Sequence, residues 1–314
     1  MIIIESIAPP ANQDAITRIA KRNDVADYWV SSKSDKQIAI KMLVEKARSQ
    51  KVLDQLQTAM AGKTNFRVIS YPLEVALPYQ AKTAASVSRE ALLNQLSGHA
   101  QADGHFLMLT LLSTVVAAIG LMENNVAVII GAMVIAPLLG PNLALSLATT
   151  LGNLSTIVNA IKTLVIGVGI AIAVSVLIGW FYPTIVFGHE LLSRTTVGLD
   201  SLALALASGA AAALSITTGV SSVLVGVMVA VALLPPAVTL GISLGMNQWL
   251  YAQGAGLLLV ANIASVNLTA QLVMRFKGIT PRSDENRAKA LLIFLIGLLI
   301  WIGLIAYLIV GFLG

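Results

Sequence analysis

The stretch "VIIGAMVIAPLLGP", residues Val128–Pro141, places two prolines and a glycine within five positions of a hydrophobic segment. A proline inside a helix removes one amide donor and clashes with the carbonyl one turn earlier, at a cost of about 3 kcal/mol. In lipid the freed backbone groups cost more, unless protein or a water-lined cavity satisfies them. The stretch therefore predicts a membrane helix with an interruption near its middle.

Composition places this stretch in a membrane protein. The chain of 314 residues is 57% hydrophobic and 11% charged, with a mean hydropathy of +0.84. A soluble domain carries about a quarter charged residues, so the composition predicts an integral membrane protein. The charges are uneven, because residues 1–103 hold 23 of the 35 and residues 105–270 hold five. We expect a soluble N-terminal domain followed by a lipid-embedded body.

The first 80 residues alternate strand and helix patterns. The predicted elements are a strand at 2–7, a helix after Pro9 and Pro10, strands at 28–31 and 37–44, a helix at 46–60 and a strand at 66–71. The order βαββαβ predicts a ferredoxin-like α+β domain over residues 1–80, with two helices on one side of an antiparallel sheet. Residues 81–103 predict an amphipathic linker helix, which either lies on the membrane surface or packs on the soluble domain.

Apolar segments fill the transmembrane domain, residues 104–314. A spanning helix needs about 20 apolar residues. Seven segments meet this length and are numbered here in chain order: 105–122, 125–150, 156–181, 200–217, 221–245, 250–274 and 290–312. Five of the seven charges in loop 275–289 are basic, and basic loops face the cytoplasm. This predicts a multi-pass protein of the prokaryotic cytoplasmic (inner) membrane, with a cytoplasmic N-terminus and the C-terminus outside.

The body contains an internal repeat at an offset of 95 residues. "VIIGAMVIAPLLGP" at 128 aligns without a gap on "VLVGVMVAVALLPP" at 223, and the matches at glycine, methionine and proline are the informative ones: Gly131 with Gly226, Met133 with Met228, and Pro141 with Pro236. Each copy, 105–181 and 200–274, holds three segments. Since three is odd, the second copy enters the membrane upside down, which predicts a 3+3 inverted repeat followed by an extra helix at 290–312.

The repeat puts the helix breakers at equivalent depths, with Gly140-Pro141 in segment two and Pro235-Pro236 in segment five. Two such interruptions are typical of discontinuous helices that meet at a substrate site. The alternative is a pair of simple proline kinks packed by neighbouring helices. We assign the substrate or ion path to the breaks, to nearby polar residues and to one face of segment six: Pro137, Gly140, Pro141, Asn142, Pro235, Pro236, Thr239, Asn262, Ser265 and Thr269.

Ionisable residues are scarce in the spans, and Glu123 and Lys162 are the candidates for gating or coupling. A site without carboxylates suits a small inorganic anion or a neutral polar solute better than a divalent cation. The sequence has no phosphate-binding, dinucleotide-binding, metalloprotease or serine-hydrolase motif. We therefore expect no catalytic residues, no metal site, no cofactor and no enzymatic activity. The mixed charges of the soluble part indicate no nucleic-acid partner.

The string "VIIGAMVIAPLLGPNLALSLATTLGN" resembles the hydrophobic core motif of an uncharacterised prokaryotic membrane family, domain of unknown function 389. The likeness covers roughly residues 105–275, and its Gly-Ala-Met and Ala-Pro-Leu-x-Gly-Pro elements are specific. The resemblance implies a bacterial or archaeal membrane protein, often with a small N-terminal soluble domain. It implies no substrate.

Two functions from different classes fit these observations. The first is a transporter or channel for a small ion or polar solute, with its path where the broken segments two and five meet and a gate in the soluble domain. The alternative is a membrane-anchored sensor or scaffold whose ferredoxin-like domain binds a metabolite or a protein partner. Faces rich in small residues favour a homo-oligomer in the lipid bilayer.

Overall fold

The computed structural model describes residues 1–23, 25, 27–61, 65–73, 89, 92–94, 96, 101–182, 186–218, 222–281 and 284–313. The chain divides into two compact units, Met1–Ala91 and Leu92–Gly314. The predicted linker helix at 81–103 lies largely outside the described residues.

The N-terminal unit contains a four-stranded antiparallel sheet. Its elements in chain order are β1 (Ile2–Ala8), a 3-10 turn (Pro10–Asn12), α1 (Gln13–Arg22), β2 (Asp27–Lys33), β3 (Ile38–Val44), α2 (Lys46–Ala59) and β4 (Arg67–Pro72). The strands lie in the order β2-β3-β1-β4, and all three neighbouring pairs are antiparallel. The observed boundaries agree with the predicted ones to within a few residues.

Alternation along the central strands builds the core of this unit. Ile2, Ile4 and Ala8 of β1 are buried on one face, and every second residue of β3 from Ile38 to Val44 is buried with them. The apolar faces of α1 and α2 cover these side chains. The other face of the sheet carries Trp29 and Ile69, which are 41% and 39% exposed.

The second unit is helical. Its helices are α3 (Gly104–Met122), α4 (Val126–Ile135), α5 (Leu139–Leu151), α6 (Leu154–Phe181), α7 (His189–Leu192), α8 (Leu199–Thr218), α9 (Ser222–Gly245), α10 (Trp249–Phe276) and α11 (Asp284–Leu313). Six of the seven predicted segments are helical over their described residues, and segment two, 125–150, is helical on both sides of an interruption at 136–138. Among these helices α3, α6, α8 and α10 are long and apolar enough to cross a membrane, and α4 with α5 makes a fifth if the bent pair is one span.

Segment two is broken between α4 and α5, which meet at 54°. The break lies at Ala136–Leu138, before the predicted Gly-Pro position. Ala136 is extended (ψ 122°), because a following proline disfavours the helical region for the residue before it. Gly140 and Pro141 belong instead to the first turn of α5, where a proline costs little because first-turn amides have no partner within the helix. The predicted position is therefore corrected to Pro137.

Segment five is not broken. Helix α9 runs from Ser222 to Gly245 with Pro235 and Pro236 inside it, so the prediction of a second discontinuous helix is wrong. The repeat alignment explains the difference, because Ala232 occupies the position of Pro137. The residue that breaks segment two is thus missing from segment five, and the carbonyl that Pro236 leaves without a donor is bonded by Asn262 of a neighbouring helix.

The helices of the second unit pack both within and between the two copies of the repeat. Within the copies α3 lies against α4 and α6, and α8 and α9 lie against α10. Between the copies α9 packs along α6, and α5 packs along α10. Helix α11 covers α5 and α10. The broken segment two therefore lies next to α10 and beneath α11.

Candidate functional site

A buried network of neutral polar side chains joins α5 to α10 directly after the break. Asn267 on α10 donates through Nδ2 to Oδ1 of Asn142, which lies in the second turn of α5. Ser146, one turn further along α5, donates to Oδ1 of Asn267 at 2.8 Å. All three side chains have 0% exposure. One donor stays free, because Nδ2 of Asn142 has no partner among the described residues.

Gln271 extends this network by one turn along α10. Its side chain has 0% exposure, and neither Nε2 nor Oε1 finds a hydrogen-bond partner within the described part of the chain. Helix α11 closes over it, since a Cβ built on Gly297 lies 3.6 Å from Oε1 of Gln271 and 3.0 Å from Cγ2 of Thr149. Gly297 of α11 thus lies over the interface between α5 and α10.

A second amide of α10 stabilises the proline-containing helix α9. Pro236 has no N–H, so the carbonyl of Ala232 loses the donor that a regular helix supplies four residues later. Asn262 donates to this carbonyl through Nδ2 at 2.7 Å. A side chain of a neighbouring helix therefore replaces the missing backbone bond, as is usual for prolines in membrane helices.

The path residues predicted on α10 lie on a different face of that helix from the network. Asn262, Ser265 and Thr269 share a face, as expected from their spacing, but this face is turned toward α8 and α9: Asn262 contacts α9, and Thr269 lies against Gly209 of α8. Asn267 and Gln271 point the other way, toward α5 and α11. Only Asn142 among the predicted residues is brought into the network at the break.

The remaining predicted residues lie apart from this network. Pro235, Pro236 and Thr239 are buried in α9, and Oγ1 of Thr239 has no partner among the residues described. Glu123 caps the C-terminus of α3 and Lys162 lies on α6, both with exposed side chains. Neither charge contributes to the buried polar network.

Sequence reasoning missed Ser146, Asn267 and Gln271 as site residues. Ser146 lies four residues after Asn142, and Gln271 lies four residues after Asn267, so each pair shares a helix face. This spacing could be read from the sequence. The sequence did not indicate that these faces of α5 and α10 contact each other, because that depends on how the helices pack.

The network offers donors and dipoles without formal charge. Neither α5 nor α10 contains an aspartate or glutamate, and the described residues hold no cluster of three metal-ligating side chains. The unpartnered amides are costly, since a buried donor or acceptor without a partner loses about 1–3 kcal/mol. Such groups are retained where they serve a ligand or a second conformation.

A different concavity, an apolar cleft of about 620 Å³, lies between α3 and the C-terminal half of α6. Its lining residues are Val115, Val174, Leu177, Ile178, Phe181 and Tyr182. Phe181 and Tyr182 are 71% and 62% exposed. A lining of this kind suits lipid chains and offers little to a polar solute.

Apolar helices of spanning length, a broken helix and a buried polar network between helices are consistent with a multi-pass membrane protein. Within this class the chain belongs to the family described as domain of unknown function 389 (DUF389), which matches residues 133–268. An uncharacterized protein of Methanocaldococcus jannaschii is 32% identical over 282 residues, which is 88% of each chain. No solved structure matches. The matched range includes the break, Asn142, Ser146, Asn262 and Asn267.

Proposed function

We propose that this protein is a transporter or channel for a small inorganic anion or polar solute. The observation that carries the proposal is the break at Pro137, which leads directly into the buried network of Asn142, Ser146 and Asn267. A helix end inside an apolar body leaves backbone groups to be satisfied by a cavity or a ligand. Unpartnered amides beside this end supply the hydrogen bonds that a polar solute loses on leaving water. We propose no chemical reaction for this protein.

The proposed architecture is an inverted repeat of segments one to three and four to six. The turns after segments two and five support it. Gly152 (φ 69°) and Asn247 (φ 55°) are equivalent at the offset of 95, and both are left-handed. Asn153 N donates to Ala148 O at 2.9 Å, and the equivalent Gln248 N donates to Ser243 O at 2.8 Å. The same C-cap therefore ends both segments.

Contacts between the copies also follow the repeat. Ser146 bonds to Asn267, and the equivalent residues Gly241 and Ile172 are in contact as well, because a Cβ on Gly241 would meet the carbonyl of Ile172. A twofold relation between the copies exchanges these two contacts. Seven spans and oppositely oriented copies follow if α9 and α11 also cross the bilayer.

The orientation in the membrane is proposed from basic residues. Helices α5 and α10 run in parallel, since Asn142 meets Asn267 and Thr149 lies near Gln271. Their C-terminal ends therefore lie on one side, together with loop 275–289 and its five basic residues. We place this side in the cytoplasm of a prokaryotic cell, which puts the C-terminus outside. Homo-oligomerisation remains a prediction.

Flux measurements on the Pro137→Ala variant test the transport function. The purified full-length chain is reconstituted in liposomes, and chloride influx and glycerol permeability are recorded. Alanine removes the restraint on residue 136 and favours a continuous helix, so we expect at least a tenfold loss of flux. Ser208→Ala is the control, because the Ser208 hydroxyl bonds to Leu204 O of its own helix at 2.7 Å. Unchanged flux in Pro137→Ala would refute the proposed path.

The N-terminal unit supports a second, regulatory or sensory function. Its strand order β2-β3-β1-β4 with the element order βαββαβ fits the proposed ferredoxin-like domain. The uncovered face of the sheet exposes Trp29 and Ile69 beside an ion pair of Glu5 and Lys41 at 3.9 Å. A metabolite or partner that binds this face changes Trp29 fluorescence. If the protein is a sensor without transport activity, we expect saturable binding of a ligand to the N-terminal unit and no flux in liposomes.

A further inference from the structure

Building on the proposed transport function, we propose that the solute is a small monovalent inorganic anion. It binds along the face of α10 formed by Asn267, Gln271 and Arg275, against Asn142 of α5. Two classes of solute fitted the neutral network, an anion and an uncharged polar molecule. Three features of the structure favour the anion.

The first feature is the direction of the hydrogen bonds. Oδ1 of Asn142 and Oδ1 of Asn267 are both occupied as acceptors, by Asn267 Nδ2 and Ser146 Oγ. What remains unpartnered at Asn142 is a donor, Nδ2. The free amide of Gln271 presents either its NH₂ group or its oxygen after a rotation of its terminal torsion. At Asn142 and Asn267 both carboxamide acceptors are thus used, and the N–H donor of Asn142 is left for an anion.

The second feature is a basic residue on the same helix face. Asn267, Gln271 and Arg275 are spaced by four residues and lie one above another on α10. Arg275 lies in the last turn of the helix, half-buried, with its guanidinium carbon 6.0 Å from the ring centre of Phe294 on α11. A positive charge at this end of the proposed path raises the local concentration of anions and their rate of entry. The two amides behind it then replace water around the ion.

The third feature is the N-terminus of α5, a helix of 13 residues that begins at the break. The first-turn amides of a helix have no partner within the helix, and the helix dipole adds a partial positive charge there. Asn142 lies next to this turn with its buried, unpartnered Nδ2. Pro141 contributes no N–H to the first turn, so the Asn142 side chain supplies a donor in its neighbourhood.

The equivalent interface of the second copy lacks these amides, because Ala237 and Val176 stand at the positions of Asn142 and Gln271. Gly241 and Ile172 replace Ser146 and Asn267 there. Gly241 and Gly245 of α9 approach the backbone of α6 so closely that an added Cβ would meet the carbonyls of Ile172 and Val176. Of these two interfaces, the one between α6 and α9 is therefore closely packed at Gly241 and Gly245, and the one between α5 and α10 carries the buried amides. The anion path follows the second.

Chloride and nitrate fluxes of full-length protein in liposomes test the inference, with glycerol as the neutral comparison. Gln271→Leu removes one donor to a charged ligand, so we expect the chloride concentration for half-maximal flux to rise roughly tenfold. Gln271→Glu keeps the shape of the side chain. We expect it to block chloride flux at pH 9, where the new carboxyl is ionised, and to recover flux at pH 5. Ser208→Ala is the matched control for a buried polar substitution, with unchanged fluxes.

Arg275→Gln provides a test at a half-buried position, where the fold is less sensitive. We expect a severalfold lower anion flux at low ionic strength and a weaker dependence on salt, with glycerol permeability unaffected. If Gln271→Leu does not fold, Arg275→Gln and Gln271→Glu still test the anion site. An unchanged salt dependence together with a pH-independent flux in Gln271→Glu would overturn the anion site.

The outcomes separate the anion site from the transport function. Loss of flux in Pro137→Ala with no effect of the Gln271 and Arg275 variants would leave the path at the break in place and refute the anion site. Glycerol permeation without chloride or nitrate flux would do the same. Absence of flux for all three probes in the unmodified protein would refute the transport function itself.

Discussion

At the scale of single residues, three positions explain how a helix of this protein accommodates Pro236. Pro236 deprives the carbonyl of Ala232 of its donor, and Asn262 supplies another at 2.7 Å. Asn262 was predicted as a path residue because of its polarity and its face. The structure gives it a local role in the backbone of α9, which is the kind of interhelical hydrogen bond that membrane helices commonly make.

This role predicts a coupling between Asn262 and Pro236. Asn262→Leu leaves the buried carbonyl of Ala232 without a donor, so we expect a loss of about 1–3 kcal/mol in the free energy of unfolding. In a Pro236→Ala background the backbone N–H returns, and the same substitution should cost less than half as much. Thermal unfolding of the four proteins of this double-mutant cycle measures the coupling. Additive effects would contradict the hydrogen-bond replacement.

At the scale of elements, segments two and five show how one residue decides between a break and a continuous helix. The two copies are similar, and both carry a proline at position 141 or 236. The first copy also has Pro137, at the position that Ala232 occupies in the second copy, whereas the further proline of the second copy, Pro235, aligns with Gly140. Pro137 disfavours the helical region for the residue before it, and Pro141 falls in a first turn that tolerates it.

The bend between α4 and α5 should therefore depend on Pro137 and not on Pro141. The sequence has no cysteine, so cysteines introduced at the exposed positions Val126 and Leu154 allow specific spin labelling. In Pro137→Ala we expect the 54° bend to decrease and the mean distance between the labels to increase by several ångströms over the length of the two helices. Pro141→Ala is the control and should leave the distance distribution unchanged. Equal shifts in both variants would contradict this assignment.

At the scale of the whole molecule, the chain combines two units that are built on different principles. The N-terminal unit, Met1–Ala91, buries an alternating set of side chains under two helices, as a soluble domain does. The second unit exposes large apolar side chains such as Val165, Phe181 and Leu250, at 64%, 71% and 79%. Surfaces of this kind are stable only in contact with lipid or another apolar partner.

The N-terminal unit should fold by itself. A fragment of residues 1–91 is expected to unfold cooperatively, because its core is complete without the membrane unit. Ile4→Ala removes a side chain with 0% exposure and should lower the free energy of unfolding by about 2–5 kcal/mol. Ile3→Ala, on the opposite face of β1, is the matched control and should cost clearly less. Urea titrations followed by circular dichroism compare the variants, and equal costs would contradict the one-sided core.

The sequence by itself determined the class of protein, the positions of the strands and apolar segments, the presence of a repeat and the neighbourhood of the helix break. These depend on composition, periodicity and the local sterics of proline, which act over a few residues. Tertiary structure alone decided how the carbonyl freed by Pro236 in α9 receives a hydrogen bond, and that Asn267 and Gln271, instead of Thr269, face α5. The reason is physical: the acceptor freed by Pro236 receives its hydrogen bond from Asn262, a residue 30 positions away, and no local pattern records which face of one helix meets which face of another.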